Sequence, residues 1–246
     1  MTTPRFLVST ALRRDDRIAL TPEASHHALR VLRLRAGAPL LVFDGSGLEA
    51  DATLEVDAVD GAHARVGEVR VVDREAKVSI TLLQALCAQD KTEWLVEKSV
   101  ELGVARIVLF PAQRSVVRLD DSRRTRREER LREIATAATH QCGRTRVASV
   151  EIASDLGASL AGHAGARWIL DPHADSGFAG DGSARTSAGF AAVFAVGPEG
   201  GFTTAEVALA QECGFARLRL GPRVLRTETA GLVAVAALLA LQGEFA

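Results

Sequence analysis

The sequence predicts an α/β protein in two parts, and three observations lead there. From Val78 onward, short apolar runs alternate with helical stretches. That is the pattern of a mostly parallel sheet covered by helices on both faces. Before about residue 72, short strand-like runs and one helix are punctuated by Asp-Gly pairs, which suits a small barrel-like β module. Near the end of the chain, two strand-like runs each break in a glycine turn and lead into a helix.

In the first part, residues 5–8 read as a strand. Thr21-Pro22-Glu23 starts a helix, because proline fits the first helical position. This helix is expected to carry His26, His27, Arg30 and Arg33, to turn Leu29 and Leu32 inward, and to stop at Gly37. Residues 40–43, 48–56 and 63–72 are expected strands, with Asp44-Gly45 and Asp60-Gly61 as turns. The polar stretch 73–77 is the expected linker, which divides the chain into domains 1–73 and 74–246.

In the second part, strands are expected at 78–86, 105–110, 167–170, 191–196 and 217–220. Helices are expected at 90–102, closed by Gly103, and at 123–141. Thr203 and Glu206 form a capping box for a helix that Gly214 closes. Thr227 is the expected cap of a long apolar helix over 228–241. Residues 171–189, rich in Asp, Gly, Ser and Ala, read as a surface loop.

Composition narrows the function. The basic residues are nearly all arginine; only Lys77, Lys91 and Lys98 are lysine. Cys87, Cys142 and Cys213 are too few and too scattered for a disulfide framework or a metal site. His26-His27 are neighbours and do not share a helix face, so no metal is expected. No hydrophobic leader opens the sequence, and the apolar stretch after Glu228 is short for a bilayer span and contains Gly231. A soluble cytoplasmic protein is the expectation.

Arginines cluster twice. Arg5, Arg13, Arg14, Arg17, Arg30, Arg33 and Arg35 crowd the first part. Arg114, Arg118, Arg123, Arg124, Arg126, Arg127, Arg130, Arg132, Arg144 and Arg146 crowd the middle, partly offset by acidic neighbours. Both clusters fit RNA phosphate contacts, and both also fit a solvated surface, the middle one with Glu128 and Arg132 as an i,i+4 pair.

The two late turns, Gly197-Pro198-Glu199-Gly200-Gly201 and Gly221-Pro222, follow strands. Ligands of open α/β sheets sit beyond the carboxyl ends of strands, where exposed backbone groups hold their polar parts. Ordinary tight turns would read the same way. Neither turn matches a dinucleotide fingerprint or a P-loop.

An ordered set of motifs resembles one family. His26-His27-Ala28-Leu29-Arg30-Val31-Leu32-Arg33, the run EWLVEKSVELGV from Glu93, Arg114-Ser115-Val116, Gln141-Cys142-Gly143-Arg144, GPEGGF from Gly197 and LGPRVLRTETA from Leu220 span nearly the whole chain. The set resembles the bacterial 16S ribosomal RNA (uracil-N3)-methyltransferases, the RsmE family of the SPOUT superfamily. Departures from the family pattern fall at His140, where glutamate is frequent, at Gln113, where an acidic residue is common, and at Ser99, where threonine is common.

The resemblance implies a PUA-like RNA-binding domain followed by a SPOUT α/β domain with a C-terminal trefoil knot. It implies S-adenosylmethionine as cofactor, a homodimer, and a uridine of 16S ribosomal RNA in the small subunit, near the decoding centre, as substrate. The cofactor loops would be formed by Leu170, Val196, Gly197, Pro198, Glu199, Gly200, Gly201, Leu220, Gly221, Leu225, Arg226 and Thr229, with Asp171 as a loop cap or contact. Arg226 and Arg144 are the candidates for electrostatic catalysis, and Glu228 and Glu199 for proton acceptance. Glu228 equally suits a helix N-terminus. Arg5, Arg30, Arg33, Arg114 and Arg144 are the candidate RNA contacts. The competing readings are a related enzyme acting on transfer RNA or on a ribose 2′-hydroxyl, and a noncatalytic ribosome-assembly protein.

Overall fold

The computed structural model describes residues 3–57, 61–117, 119–178 and 190–245. Asp60 of the second expected turn, Arg118, and residues 179–189 of the expected loop lie outside them. The chain forms two compact units.

The first unit combines the chain up to Glu75 with Thr139–Val147. Its strands are β1 (Arg5–Leu7), β2 (Arg17–Ala19), β3 (Pro39–Phe43), β4 (Leu48–Asp57) and β5 (Gly61–Val71), in the sheet order β1-β3-β4-β5-β2. Only β1 and β3 run parallel; the other pairs are antiparallel. Along β4 the period of two is plain, with Ala50, Ala52 and Leu54 buried and Asp51 and Thr53 exposed. These residues join Phe6, Val42, Ala64 and Val66 in one apolar core. The expected Asp44-Gly45 turn is present, with Ser46 N–H donating to Asp44 Oδ1 at 2.9 Å. Strand β2 has three residues and one apolar side chain, too little for a periodic signal.

The early helix differs from expectation. Thr21 caps α1 (Pro22–His26) through Ala24 N–H at 3.2 Å, as the Thr-Pro start predicts. The chain then widens into a π-helical turn over His27–Val31. It ends at Leu32, with Arg33 left-handed at φ 53°, well before Gly37. The wider turn rotates the faces, so Ala28 is fully buried while Leu32 is 40% exposed.

Residues 139–147 join the first unit through polar contacts that no compositional signal marks. Arg144 is buried and pairs with Glu75. Thr145 Oγ1 donates to Val72 O at 2.6 Å. The His140 ring lies 6.1 Å from Phe6 and 6.0 Å from Phe43. Burial, with the nearby Arg5 charge, pushes the His140 pKa below its ordinary value.

The second unit holds a six-stranded sheet of β6 (Ser79–Ala85), β7 (Arg106–Phe110), β8 (Ser149–Ile152), β9 (Ala166–Leu170), β10 (Ala191–Val196) and β11 (Ala216–Leu218). The order is β11-β9-β10-β6-β7-β8, and every pair is parallel. On one face, Leu83, Val108, Ile169, Val193 and Ala195 pack with Leu156 and Leu160 of α4 (Leu156–Leu160) and Ala210 of α5 (Thr204–Glu212). The other face carries α6 (Thr227–Leu241), alongside α2 (Gln89–Glu101). At Gly231 α6 approaches so closely that a Cβ would lie 3.0 Å from Leu82 Cδ1. Sequence reading had no β8 or α4, each only four or five residues long.

The arginine-rich helix α3 (Asp121–Cys142) secures the sheet edge. Arg124 Nη2 donates to Ile152 O at 2.9 Å and Arg132 Nε to Val150 O at 3.1 Å, while Glu128 Oε2 accepts from Ile152 N–H at 2.9 Å. Those groups belong to edge strand β8, whose open carbonyls would otherwise invite another strand. Part of the middle arginine cluster is therefore structural. Among the described residues, no helix is long and apolar enough to cross a membrane.

Candidate active site

Strands β11, β9 and β10 are neighbours, and the loops at their carboxyl ends enclose one cleft of about 900 Å³ within the second unit. Leu170 ends β9, Val196 ends β10, and the segment 219–226 follows β11. The first turn of α6, Lys91 of α2, Arg114 and residues of α5 complete the lining. This is the position that open parallel sheets offer a ligand.

The polypeptide there is tied by its own polar groups. Thr227 is the first residue of α6, and Arg226 stands at the N-cap without a side-chain cap bond. The expected capping role of Thr227 therefore gives way to another. Its hydroxyl donates to Gly197 O at 2.5 Å and accepts from Gln84 Nε2 at 2.8 Å, joining β6, the turn after β10 and α6. Asp171 accepts from Arg217 Nε at 2.8 Å and from His173 N–H at 2.8 Å, which makes it the organiser of its loop. The Thr203–Glu206 capping box is present, and Glu206 Oε1 also accepts from Gln113 N–H at 2.8 Å. Gly201 and Gly221 have φ of 67° and 77°, a backbone that glycine adopts without strain.

Of the residues singled out in the sequence, Leu170, Val196, Gly197, Pro198, Glu199, Gly200, Gly201, Leu220, Gly221, Leu225, Arg226, Glu228 and Arg114 all line the cleft. Thr229 does not; its N–H donates to Arg226 O at 2.9 Å within the helix start. Arg114 Nη1 donates to Gly200 O at 3.0 Å. Arg5 and Arg144 belong to the first unit and are held there. Arg5 pairs with buried Glu49 at 3.2 Å, donates to His140 O and Arg144 O, and stacks 4.5 Å over Phe43. Arg144 Nε donates to Glu75 Oε2 at 2.9 Å. Arg30 and Arg33 are exposed on the same unit, with Arg13, Arg14 and Arg35.

The sequence reading missed Lys91. Its ammonium lies 3.5 Å from Glu199 Oε1 and 3.7 Å from Glu228 Oε2. The one signal was its type, a lysine in a chain whose other cations are nearly all arginine. Behind it, Arg127 Nη2 donates to Cys87 O at 2.9 Å and to Thr92 Oγ1 at 2.8 Å, which pins the start of α2. Burial pushes the Cys87 thiol upward, so it is no reactive thiolate. Among the described residues, no group of three His, Cys, Asp or Glu side chains could hold a metal.

A parallel sheet with a glycine-lined cleft at its carboxyl edge defines an α/β protein with a ligand site at that edge. Comparison with known proteins gives the class directly: residues 74–239 match the model of an RNA methyltransferase domain, and residues 20–67 that of an RNA methyltransferase PUA domain. The chain belongs to the ribosomal RNA small subunit methyltransferase E family. It is 32% identical to the Bacillus subtilis protein of that name over 226 residues, 89% of this chain and 88% of that one. It is 31% identical to the Mycobacterium bovis protein of the same name, covering 86% and 81%. Among solved structures, a Neisseria gonorrhoeae ribosomal RNA small subunit methyltransferase E bound to S-adenosyl methionine superposes with a TM-score of 0.87 at 33% identity, covering 98% of each chain. A putative methyltransferase from Legionella pneumophila with bound SAM superposes with a TM-score of 0.90 at 30% identity, again covering 98% of each.

Proposed function

We propose that the protein transfers a methyl group from S-adenosylmethionine to N3 of a uridine in 16S ribosomal RNA, within the small ribosomal subunit and near the decoding centre. The observation that carries this reading is the cleft itself. The glycine turns after β10 and β11, eleven of the twelve cofactor-loop residues (all but Thr229), and the start of α6 converge there in a member of this family.

The residues fit the cofactor. Leu170, Leu220 and Leu225 offer apolar surface for adenine, and residues 196–201 and 220–221 offer backbone donors and acceptors. Gly201 and Gly221 line the cleft, and an added Cβ at either would meet nothing within 4 Å. When bound, the cofactor supplies an electrophilic methyl group whose bond to sulfur breaks, with the electron pair remaining on sulfur, as N3 takes the carbon. Holding the reactants in line accounts for much of the acceleration such a site achieves. Exposed Arg226, at the mouth of the cleft, and Arg114 supply positive charge for the negative charge that develops on the uracil oxygens. Glu228 and Glu199 are cleft carboxylates beside Lys91, whereas the third, Asp171, is engaged by Arg217.

Exposed Arg30 and Arg33 support RNA binding by the first unit, a PUA-like domain, through phosphate contacts. We infer the trefoil threading of the C-terminal segment from the family, and the working form as a cytoplasmic homodimer. Trp94 of α2 with Val233 and Leu241 of α6, all substantially exposed, supports an apolar contact with a second copy. The test is methyl transfer from labelled S-adenosylmethionine to unmethylated small subunits and to naked RNA, with nucleoside analysis. N3-methyluridine formed mainly on the subunit supports the reading. Label on a ribose or in transfer RNA overturns it, and so does binding to the subunit without any transfer.

A further inference from the structure

The cleft contains one charged cluster whose members come from three separate elements. Lys91 rises from the first turn of α2, Glu199 lies in the turn after β10, and Glu228 belongs to the first turn of α6. Two carboxylates share one ammonium, at 3.5 and 3.7 Å, which leaves the cluster one negative charge in excess. The two carboxylates are not equivalent. The Glu199 side chain is 36% exposed and that of Glu228 only 11%. Glu228 Oε2 is fully buried and accepts no hydrogen bond from the protein. A buried carboxylate oxygen without a donor is unfavourable by itself, and such atoms mark places where a ligand supplies the donor.

The uracil imide edge has the complementary pattern. Its N3–H is a donor, flanked on both sides by carbonyl oxygens that accept. We propose that Glu228 and Lys91 together read and activate this edge, Glu228 Oε2 accepting the N3–H and Lys91 Nζ donating to an adjacent uracil carbonyl. The assignment rests on the uridine-N3 reading above. The N3–H bond breaks, its proton passes to Glu228, and its electron pair stays on N3 to form the new bond to carbon. Lys91 balances the charge that spreads onto the carbonyl oxygen. Cytosine would turn an unprotonated N3, an acceptor, toward the Glu228 carboxylate, so the site rejects it by leaving two acceptors facing each other. Glu199 is a positioning residue that holds the ammonium between the two carboxylates.

Glu228 shares its surroundings with one cation and one further carboxylate. From α2 it faces Lys91, and from the turn after β10 it faces Glu199. The nearby Cys87 thiol is raised mainly by burial, with both carboxylates adding to the effect. Arg127 of α3 is engaged by Cys87 O and Thr92 Oγ1, so Lys91 is the cation paired with the two carboxylates among the described residues.

The experiment compares the full-length protein with Glu228→Gln, Lys91→Met and Lys91→Arg. It measures methyl transfer to unmethylated small subunits across pH, and S-adenosylmethionine binding by equilibrium dialysis. Glu228→Gln is expected to lose about 10²–10⁴-fold in single-turnover rate at neutral pH. It should regain rate as the pH enters the range where the imide ionises unaided, and it should bind the cofactor as the parent does. Lys91→Met should move the rate–pH profile upward, with Lys91→Arg partly restoring it. A Glu228→Gln protein with the parental rate and profile overturns the proposal. Weakened cofactor binding without recovery at high pH also overturns it, by placing Glu228 on the cofactor. If the parent protein itself yields no N3-methyluridine, the substrate reading fails first and takes this assignment with it.

Discussion

Replacing Thr227 with valine removes one hydroxyl at nearly constant volume from the point where three elements meet. Thr227 is 6% exposed and Gln84 is fully buried, so solvent does not replace what is lost. Two hydrogen bonds disappear, the one to Gly197 O at 2.5 Å and the one from Gln84 Nε2 at 2.8 Å. Gln84 keeps a bond from Nε2 to Ala85 O at 3.2 Å, while its Oε1 already lacks a partner. At about 1 kcal/mol net for each bond, plus a further 1 kcal/mol or so for the unpartnered Gly197 carbonyl, the loss is about 2–3 kcal/mol. With a urea dependence of about 2 kcal/mol per molar, the unfolding midpoint of the second unit drops by about 1 M. The same change frees the turn at 197–201 from the start of α6, so S-adenosylmethionine affinity should fall as well. Urea denaturation followed by tryptophan fluorescence and cofactor titration check both effects. A midpoint within about 0.2 M of the parent, with unchanged affinity, would refute the view that this hydroxyl ties the cleft together.

Arg226→Ala should lower methyl transfer by about 10²–10³-fold while leaving the denaturation midpoint in place, since Arg226 is exposed and makes no side-chain cap bond. Arg144→Ala should do the reverse: it strands Glu75 within the first unit and destabilises by about 3 kcal/mol, with transfer per folded molecule retained. Thermal denaturation beside single-turnover assays separates the two. His140 has a folded pKa below its unfolded one, so the unfolded chain binds the extra proton first as the pH falls. Its contribution is intact above about pH 6.5 and is lost progressively below it. Denaturation midpoints at neutral and mildly acidic pH should therefore diverge less in His140→Leu than in the parent.

Much of the fold was legible. The alternation after Val78 marks a parallel sheet because strands buried on both faces must be continuously apolar, as Ala191–Val196 is. The capping box at Thr203 was readable because its two hydrogen bonds are local. The elements that escaped, β2, β8 and α4, are too short to show a period and owe their form to neighbours. The early helix was overextended because a π-helical turn has no residue signature, and the chain already leaves the helix at Arg33, left-handed at φ 53°, before it reaches Gly37.

The candidate site divides in the same way. By itself the sequence determined the family, the glycine turns and the motif residues that line the cleft, though neither Lys91 nor the withdrawal of Thr229, because backbone conformation and motif order are written along the chain. Only the tertiary structure decided what each charge does. It enclosed Arg144 and Arg5 with Glu75 and Glu49, laid the α3 arginines over an edge strand, and turned Thr227 from a cap into a bridge. It also set Lys91 between Glu199 and Glu228, residues more than a hundred positions along the chain. The physical reason is range: hydrogen-bonded turns and helix starts are settled within a few residues, whereas the partner of a charge is whichever opposite charge the packed core brings within a few ångströms.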